Sequence, residues 1–297
     1  MNILSLFDGM SCGQIALNRF GVHYDNYFAS EIDKHAIKTT QHNFPNTIQL
    51  GCVTKIKPSD LPKIDFLIGG SPCQGFSFSG KQLNFKDPRS KLFFDFVRLK
   101  NELNPKYFFL ENVKMKKEYQ DIISDFLGVE PIEVNSSLVS AQNRVRLYWT
   151  NIEGFKMPYD KGIVIGDIVG KDVTNRLNKQ KVLFNIYPKK GQNGNVYALN
   201  GKTKTLSAGT GIKGRGIGSS NSPKIEWDNE KGWRRMTVEE CCELQNLDRS
   251  FFDENLSDTQ IYKLLGNGWT VDVIGEFFKL LNPSIERLPL RAGVFYF

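Results

Sequence analysis

One cysteine stands where chemistry could begin. In Phe66-Leu67-Ile68-Gly69-Gly70-Ser71-Pro72-Cys73-Gln74-Gly75-Phe76-Ser77 a short apolar run delivers Cys73 directly into a glycine-flanked turn, a setting that presents a thiolate to an electrophile. Residue type alone argues the other way, because a lone cysteine is usually a small buried hydrophobe. A second apolar run, Lys106 to Leu110, leads into Glu111-Asn112-Val113. A thiol with a carboxyl group alongside is what covalent attack on an electrophilic ring needs.

Groups so far apart in the chain need a scaffold that brings them to one edge. The first 150 residues alternate strand-like runs (Ile3 to Phe7, Tyr27 to Ser30, Asp65 to Gly69, Tyr107 to Leu110, Ile132 to Val134, Leu147 to Thr150) with helix-like stretches such as Gln14 to Phe20, Leu92 to Leu103 and Met115 to Leu127. That alternation predicts a parallel sheet covered on both faces, with the helical stripes as core. In such a sheet ligands sit beyond the carboxyl ends of the strands. The residues there are polar or glycine. Phe7-Asp8-Gly9-Met10-Ser11-Cys12-Gly13 follows the first strand, with glycines where backbone would approach a ligand ahead of a helix. It is not G-x-G-x-x-G and is weak by itself. Glu31 follows the second strand about twenty residues on, where a carboxylate commonly takes both hydroxyls of a ribose. Together they favour an adenosine-bearing cofactor.

Composition bounds the rest. A chain of 297 residues can bury a full core and hold one large domain plus a smaller one. No apolar run approaches the roughly 18 to 20 residues of a membrane span, and the N-terminus opens on a strand-like run without a signal peptide, so neither membrane insertion nor secretion is expected. Five cysteines (Cys12, Cys52, Cys73, Cys241, Cys242) with three histidines and no C-x-x-C indicate neither a disulfide framework nor a metal site. The net charge is +7, and it is unevenly placed: residues 161–225 hold twelve Lys or Arg against Asp167 and Asp172. A one-sign segment rich in Gly, Asn, Ser and Thr reads as a loop-rich surface for a nucleic acid.

At this point the motifs resemble those of the cytosine-C5 DNA methyltransferases, over nearly the whole length. The nucleophile motif of that family is similar to Ser71-Pro72-Cys73-Gln74, its Glu-Asn-Val to Glu111-Asn112-Val113 and its Gln-x-Arg-x-Arg to Gln142-Asn143-Arg144-Val145-Arg146. The cofactor turn resembles Phe7-Asp8-Gly9 with Gly13, and the loop-to-helix element Asp87-Pro88-Arg89-Ser90-Lys91-Leu92-Phe93. Arg234-Arg235-Met236-Thr237 with Glu240 looks like the segment organising the recognition region, and Leu265-Gly266-Asn267-Gly268-Trp269-Thr270-Val271 like the last cofactor motif. Ala29-Ser30-Glu31, the short recognition region and Trp269 lean toward de novo methyltransferase catalytic domains and their viral or bacterial relatives.

The resemblance implies an α/β, Rossmann-like class I S-adenosylmethionine-dependent methyltransferase with a mostly parallel seven-stranded sheet. It implies a catalytic domain over residues 1–155, a small target-recognition domain over 156–258, and a C-terminal segment, 259–297, whose stretch Thr259 to Leu281 returns as a helix to the first domain. The implied reaction is methyl transfer to C5 of a cytosine swung out of duplex DNA, through addition of Cys73 to C6. Glu111 would hold N3 and the exocyclic amine, and Arg144 and Arg146 would contact the base oxygen and fix the loop around Cys73; a phosphate contact or an ordinary salt bridge stays open for both arginines. The cofactor, with no metal, would lie against Phe7, Asp8, Gly9, Ser11, Gly13, Glu31, Ile32, Cys52, Val53, Ser71, Pro72, Leu92, Asn267, Gly268 and Trp269. DNA contacts would come from Gln74, Ser77, Ser79, Arg89, Gln142, Thr205, Lys213, Arg215 and Arg234. The Gly- and Ser-rich loop from Gln74 to Lys91 reads as mobile, and Arg215 or Lys213 as able to read a guanine, with a phosphate-only loop equally open.

One departure stands out. Where the family usually places an aspartate that binds the adenine amine, this chain reads Gly51-Cys52-Val53, and losing such a contact typically costs on the order of 1 to 3 kcal/mol. Two other readings remain: methylation of a transfer RNA by the same fold, and a catalytically silent DNA-binding or regulatory homologue, against which Cys73, Glu111, Arg144 and Arg146 all argue. A cytoplasmic bacterial or phage protein is expected, nuclear if eukaryotic. The oligomeric state, the recognised bases and a cognate restriction endonuclease are left open, as is the role of the apolar tail, Pro283 to Phe297, in docking or in joining subunits.

Overall fold

The computed structural model describes residues 1–71, 91–187, 192, 194–208 and 222–282. Cys73 and the loop to Ser90, the segment around Lys213 and Arg215, and the tail from Pro283 lie outside them. The chain begins β1 (Asn2–Leu6), α1 (Cys12–Arg19), β2 (Asn26–Ser30), α2 (Lys34–Asn43), β3 (Ile48–Gln49) and β4 (Phe66–Gly69). It continues α3 (Lys91–Leu103), β5 (Tyr107–Val113), α4 (Lys117–Leu127), β6 (Ile132–Asn135), β7 (Gln142–Asn143) and β8 (Val145–Thr150).

Seven of these strands form one sheet in the order β3-β2-β1-β4-β5-β8-β6. It is parallel except at β8, which runs antiparallel to both β5 and β6. β1 and β4 are short, apolar and buried along almost their whole length, as strands covered on both faces must be. Alternation divides their side chains. Ile3, Tyr27, Phe66, Ile68, Phe109 and Tyr148 pack into one core cluster with α1. Leu4, Leu6, Phe28, Leu67, Leu110 and Trp149 pack into the other, with Phe93, Phe96, Ile123 and Leu127 of α3 and α4. The apolar stripes of those helices are therefore core, as their spacing predicts.

Two expected boundaries move, and both movements carry site residues. β5 runs on through Glu111-Asn112-Val113, so Glu111 lies within a strand rather than after it, and β8 begins at Val145, taking Arg146 into the sheet. The expected single C-terminal helix is two: α7 (Asp258–Asn267) and α8 (Val271–Phe278). The break falls at Gly268, whose ψ of 167° is extended. The second half packs against α1 and sets Phe277 and Phe278 on Phe109.

Between β8 and α7 the chain forms α5 (Ile165–Ile168), β9 (Val182–Asn185), β10 (Asn195–Tyr197), β11 (Thr203–Lys204), β12 (Lys224–Glu226), β13 (Trp233–Arg235) and α6 (Val238–Glu243). Four strands make a second sheet, β13-β12-β10-β9, while β11 pairs with β7. The basic segment is not all surface. Lys202, Lys204 and Lys224 are buried. The ammonium of Lys202 donates to the carbonyls of Ser137 (2.7 Å), Ser140 (3.2 Å) and Ile163, so its charge serves internal carbonyls. Among the described residues no helix is long and apolar enough to cross a membrane, and no cluster of His, Cys, Asp and Glu is arranged to hold a metal ion.

Candidate active site

A pocket of about 360 Å³ opens at the carboxyl ends of the strands. Its wall is assembled from Phe7, Gly9 and Met10 after β1, Ser30 to Asp33 after β2, Gly51, Cys52 and Val53 after β3, and Gly70 and Ser71 after β4. Glu111, Asn112 and Val113 of β5, Leu92 of α3, Arg144, Arg146, and Leu264, Gly266, Asn267 and Gly268 at the end of α7 complete it. Residues from eight separate stretches thus face one space.

At one end the carboxylate of Glu31 braces the wall. Its Oε2 accepts from Gly9 N at 2.8 Å, and its Oε1 from Ile32 N and Asp33 N at 2.7 and 2.8 Å. A carboxylate offers about four acceptor positions, so bonding capacity is left toward the pocket. Ile32 is 76% exposed there, an apolar side chain uncovered by protein. Gly9, at φ +60°, takes a left-handed turn that favours glycine. Cys52 is half-buried, with Sγ 3.2 Å from Thr54 Oγ1; that contact lowers its thiol pKa.

Four residues expected against the cofactor are placed otherwise. Asp8 turns inward: Tyr27 donates to its Oδ1 at 2.8 Å, its Oδ2 is buried without a hydrogen bond, and burial pushes its pKa up to about 6. Ser11 is buried and its hydroxyl goes to Gln14 Oε1. At Gly13 a Cβ would come within 2.6 Å of Ile68 Cδ1, so this glycine lets α1 lie close on β4 and is not explained by a ligand. Trp269 donates its indole N–H to Glu111 Oε2 at 3.0 Å and is not among the residues lining the pocket.

At the other end, β5 and β8 create the carboxylate–guanidinium pair. Glu111 pairs with Tyr148 and Val113 with Arg146, which makes Glu111 and Arg146 diagonal neighbours on one face of an antiparallel ladder. Arg146 Nε lies 2.8 Å from Glu111 Oε1. The next side chain, Asn112, points to the other strand neighbour: its Nδ2 donates to Ser71 Oγ at 3.1 Å and more weakly to Ser71 O. The chain is therefore anchored two residues before Cys73. Cys73 itself, with Pro72, lies outside the described residues.

Arg144, which also lines the pocket, is held by backbone. Its guanidinium is fully buried and donates to three backbone carbonyls: Leu206 (2.9 Å), Gly268 (2.8 Å) and Gly266 (3.4 Å). Burial, and secondarily Arg146, pull its pKa down to about 9. It fastens the segment after β11 to the loop after α7. That closeness is backbone on backbone, since a Cβ at Gly266 would stand 2.2 Å from Ala208 N.

Of the residues expected at DNA, Gln74, Ser77, Ser79, Arg89, Lys213 and Arg215 lie outside the described residues. Gln142 is wholly buried; its Oε1 accepts from Leu206 N (2.7 Å) and its amide donates to Leu244 O (3.0 Å), so both ends of its amide meet protein groups. Arg234 is spent on Glu240 in a two-pronged pair at 2.8 and 2.6 Å and stacks on Trp227 at 3.8 Å. Thr205 is half-buried and bonds Asn143 O. Two features escaped the sequence reading. Gln245, buried, donates to Leu265 O and accepts from Thr270, and no local pattern marks it. Lys224 faces Arg235 across β12 and β13; burial, then Arg235 and Lys204, lower its pKa to about 8. The surplus of Lys and Arg around it was the available signal.

The chain is 34% identical to the Type II methyltransferase M1.ScrFI of Lactococcus lactis subsp. cremoris, over 96% of this chain and 79% of that protein. It is 28% identical to the Type II methyltransferase M.HhaI of Haemophilus parahaemolyticus, over 97% and 96%. The crystal structure of a Spodoptera frugiperda DNMT2 mutant superposes with a TM-score of 0.70 at 21% identity, covering 94% of this chain and 99% of that one, and shares the fold. Residues 1–282 match the family described as C-5 cytosine-specific DNA methylase. With that match over almost the whole length, the chain belongs to that family of DNA cytosine-C5 methyltransferases.

Proposed function

We propose that this enzyme is a DNA (cytosine-5-)-methyltransferase that takes its methyl group from S-adenosylmethionine and acts on duplex DNA through Cys73. The observation that carries the reading is the convergence, on one pocket, of the Glu111–Arg146 pair, the Ser71 anchor two residues ahead of Cys73, and the Glu31–Ile32 wall. The pocket suits the cofactor: Glu31 keeps acceptor capacity for ribose hydroxyls, and Ile32 and Val53 offer apolar surface to a purine. Bound there, S-adenosylmethionine supplies an electrophilic methyl group.

The residues of this chain answer the inertness of the pyrimidine. Cytosine C5 is a poor nucleophile. Addition of the Cys73 thiolate to C6 makes C5 electron-rich, and once C5 is methylated and its proton lost, the sulfur leaves; a thiolate serves both as strong nucleophile and as leaving group. Glu111 engages the N3 and amine edge, and Arg146 holds its carboxylate there. The base must first be extruded from the duplex at a few kcal/mol, against the basic region within 156–258. Relatives from bacteria and a Bacillus phage support a cytoplasmic setting.

A duplex oligonucleotide carrying 5-fluorocytosine tests the mechanism, with Cys73→Ser and an RNA substrate run in parallel. Fluorine cannot leave as the C5 proton does, so the expected result is a methyl-donor-dependent covalent adduct on Cys73 with DNA, absent in the variant. Modified adenine, or methylation of RNA alone, overturns the reading.

A further inference from the structure

Glu111 is held at both oxygens, by donors from different parts of the chain. Arg146 lies 2.8 Å from Oε1, and the Trp269 indole N–H lies 3.0 Å from Oε2. A glutamate has three rotatable bonds and a broad terminal torsion. One donor locates one oxygen, whereas two donors on separate oxygens define the plane of the carboxylate.

The indole is itself immobilised. Its ring meets Phe109 at a centroid distance of 5.9 Å and 70°. A Cβ at Gly70 would lie 3.0 Å from the indole nitrogen and 3.2 Å from Glu111 Oε2, so this glycine leaves just the room that the pair occupies. The backbone is fastened on both sides: Arg144 donates to Gly268 O at 2.8 Å, and Thr270 Oγ1 accepts from Ser136 (2.9 Å) and donates to Gln245 (2.7 Å). This is a preorganised donor aimed at one carboxylate oxygen.

We infer that Trp269 is a positioning residue for Glu111, holding its second oxygen while Arg146 holds the first, so that the carboxylate meets an extruded base in one orientation. The inference rests on the cytosine-C5 reading above. It gives Trp269 a task distinct from binding cofactor, and it links the recognition segment to the chemistry, because the arginine that clamps Gly268 also clamps Leu206.

Two replacements remove the N–H: Trp269→Phe, and β-(3-benzothienyl)alanine in place of Trp269, which preserves the shape of the ring and carries the test if the phenylalanine variant unfolds. Single-turnover methyl transfer to duplex DNA and calorimetric affinity for S-adenosylmethionine are measured for each, alone and combined with Glu111→Gln. Transfer is expected to slow about tenfold in the single variants, with cofactor affinity unchanged within about twofold, and to change less than about twofold when Glu111→Gln is already present. A full further loss on top of Glu111→Gln, or weakened cofactor binding with transfer unchanged, overturns the positioning role while wild-type activity stands. A wild-type chain that makes no 5-methylcytosine overturns the reaction, and this inference with it.

Discussion

Asp8 shows how a residue beside the pocket acts on stability rather than on ligand. Its carboxyl is buried with one oxygen lacking a hydrogen bond, and burial raises its pKa from 3.8 to about 6. Between these values the native state keeps a proton that the unfolded chain has released, so the contribution of Asp8 is full below about pH 4 and is lost as pH rises through about 6. Asp8→Asn cannot titrate. Its stability relative to wild type, from urea unfolding, is expected to rise by about 2 kcal/mol between pH 4 and pH 7, and a pH-independent difference would refute this account. Cys52 bears on affinity instead. It lines the pocket, and a thiol accepts poorly from an amine, so Cys52→Asp is expected to tighten S-adenosylmethionine binding about tenfold by calorimetry; unchanged affinity would mean that the adenine does not reach this side chain.

At the scale of elements, the site depends on where strands stop and where helices break. Glu111 and Arg146 meet because β5 and β8 extend past the expected ends and run antiparallel, a pairing that a propensity argument for each strand alone does not contain. The break between α7 and α8 brings Asn267, Gly268 and Trp269 to the pocket end of the sheet, and Gly266 lets the recognition segment lie against that break. Gly266→Ala places a methyl group against the backbone of Ser207 and Ala208, atoms with no side-chain rotation by which to yield. The expected cost is about 1 to 3 kcal/mol, read by thermal unfolding. Stability equal to wild type would show that the two segments separate freely.

For the molecule as a whole, Lys202 is a pin between the basic segment and the chain beside the first sheet. It reaches from the basic segment to carbonyls of Ser137 and Ser140 beside the first sheet, and to Ile163 on the connecting chain. Lys202→Met strands those carbonyls, and a loss of about 3 kcal/mol in global stability is expected from urea unfolding; a loss under about 0.5 kcal/mol, the scale of an ordinary surface change, would remove the pin. Sequence by itself determined the sheet's alternation, the edge where the pocket opens and the stretches that bring Glu31 and Glu111 to it, because each of these signals lies within a few neighbouring residues and follows from local periodicity and turn chemistry. Tertiary structure decided what the polar side chains do. Gln142, Arg144, Arg234 and three lysines all looked available for nucleic acid or substrate, since residue type states that a charge or amide needs partners and not which ones. Arg234 finds Glu240 six residues on, but Leu206 lies 62 residues from Arg144 and Leu244 lies 102 from Gln142, and only folding brings such partners within reach.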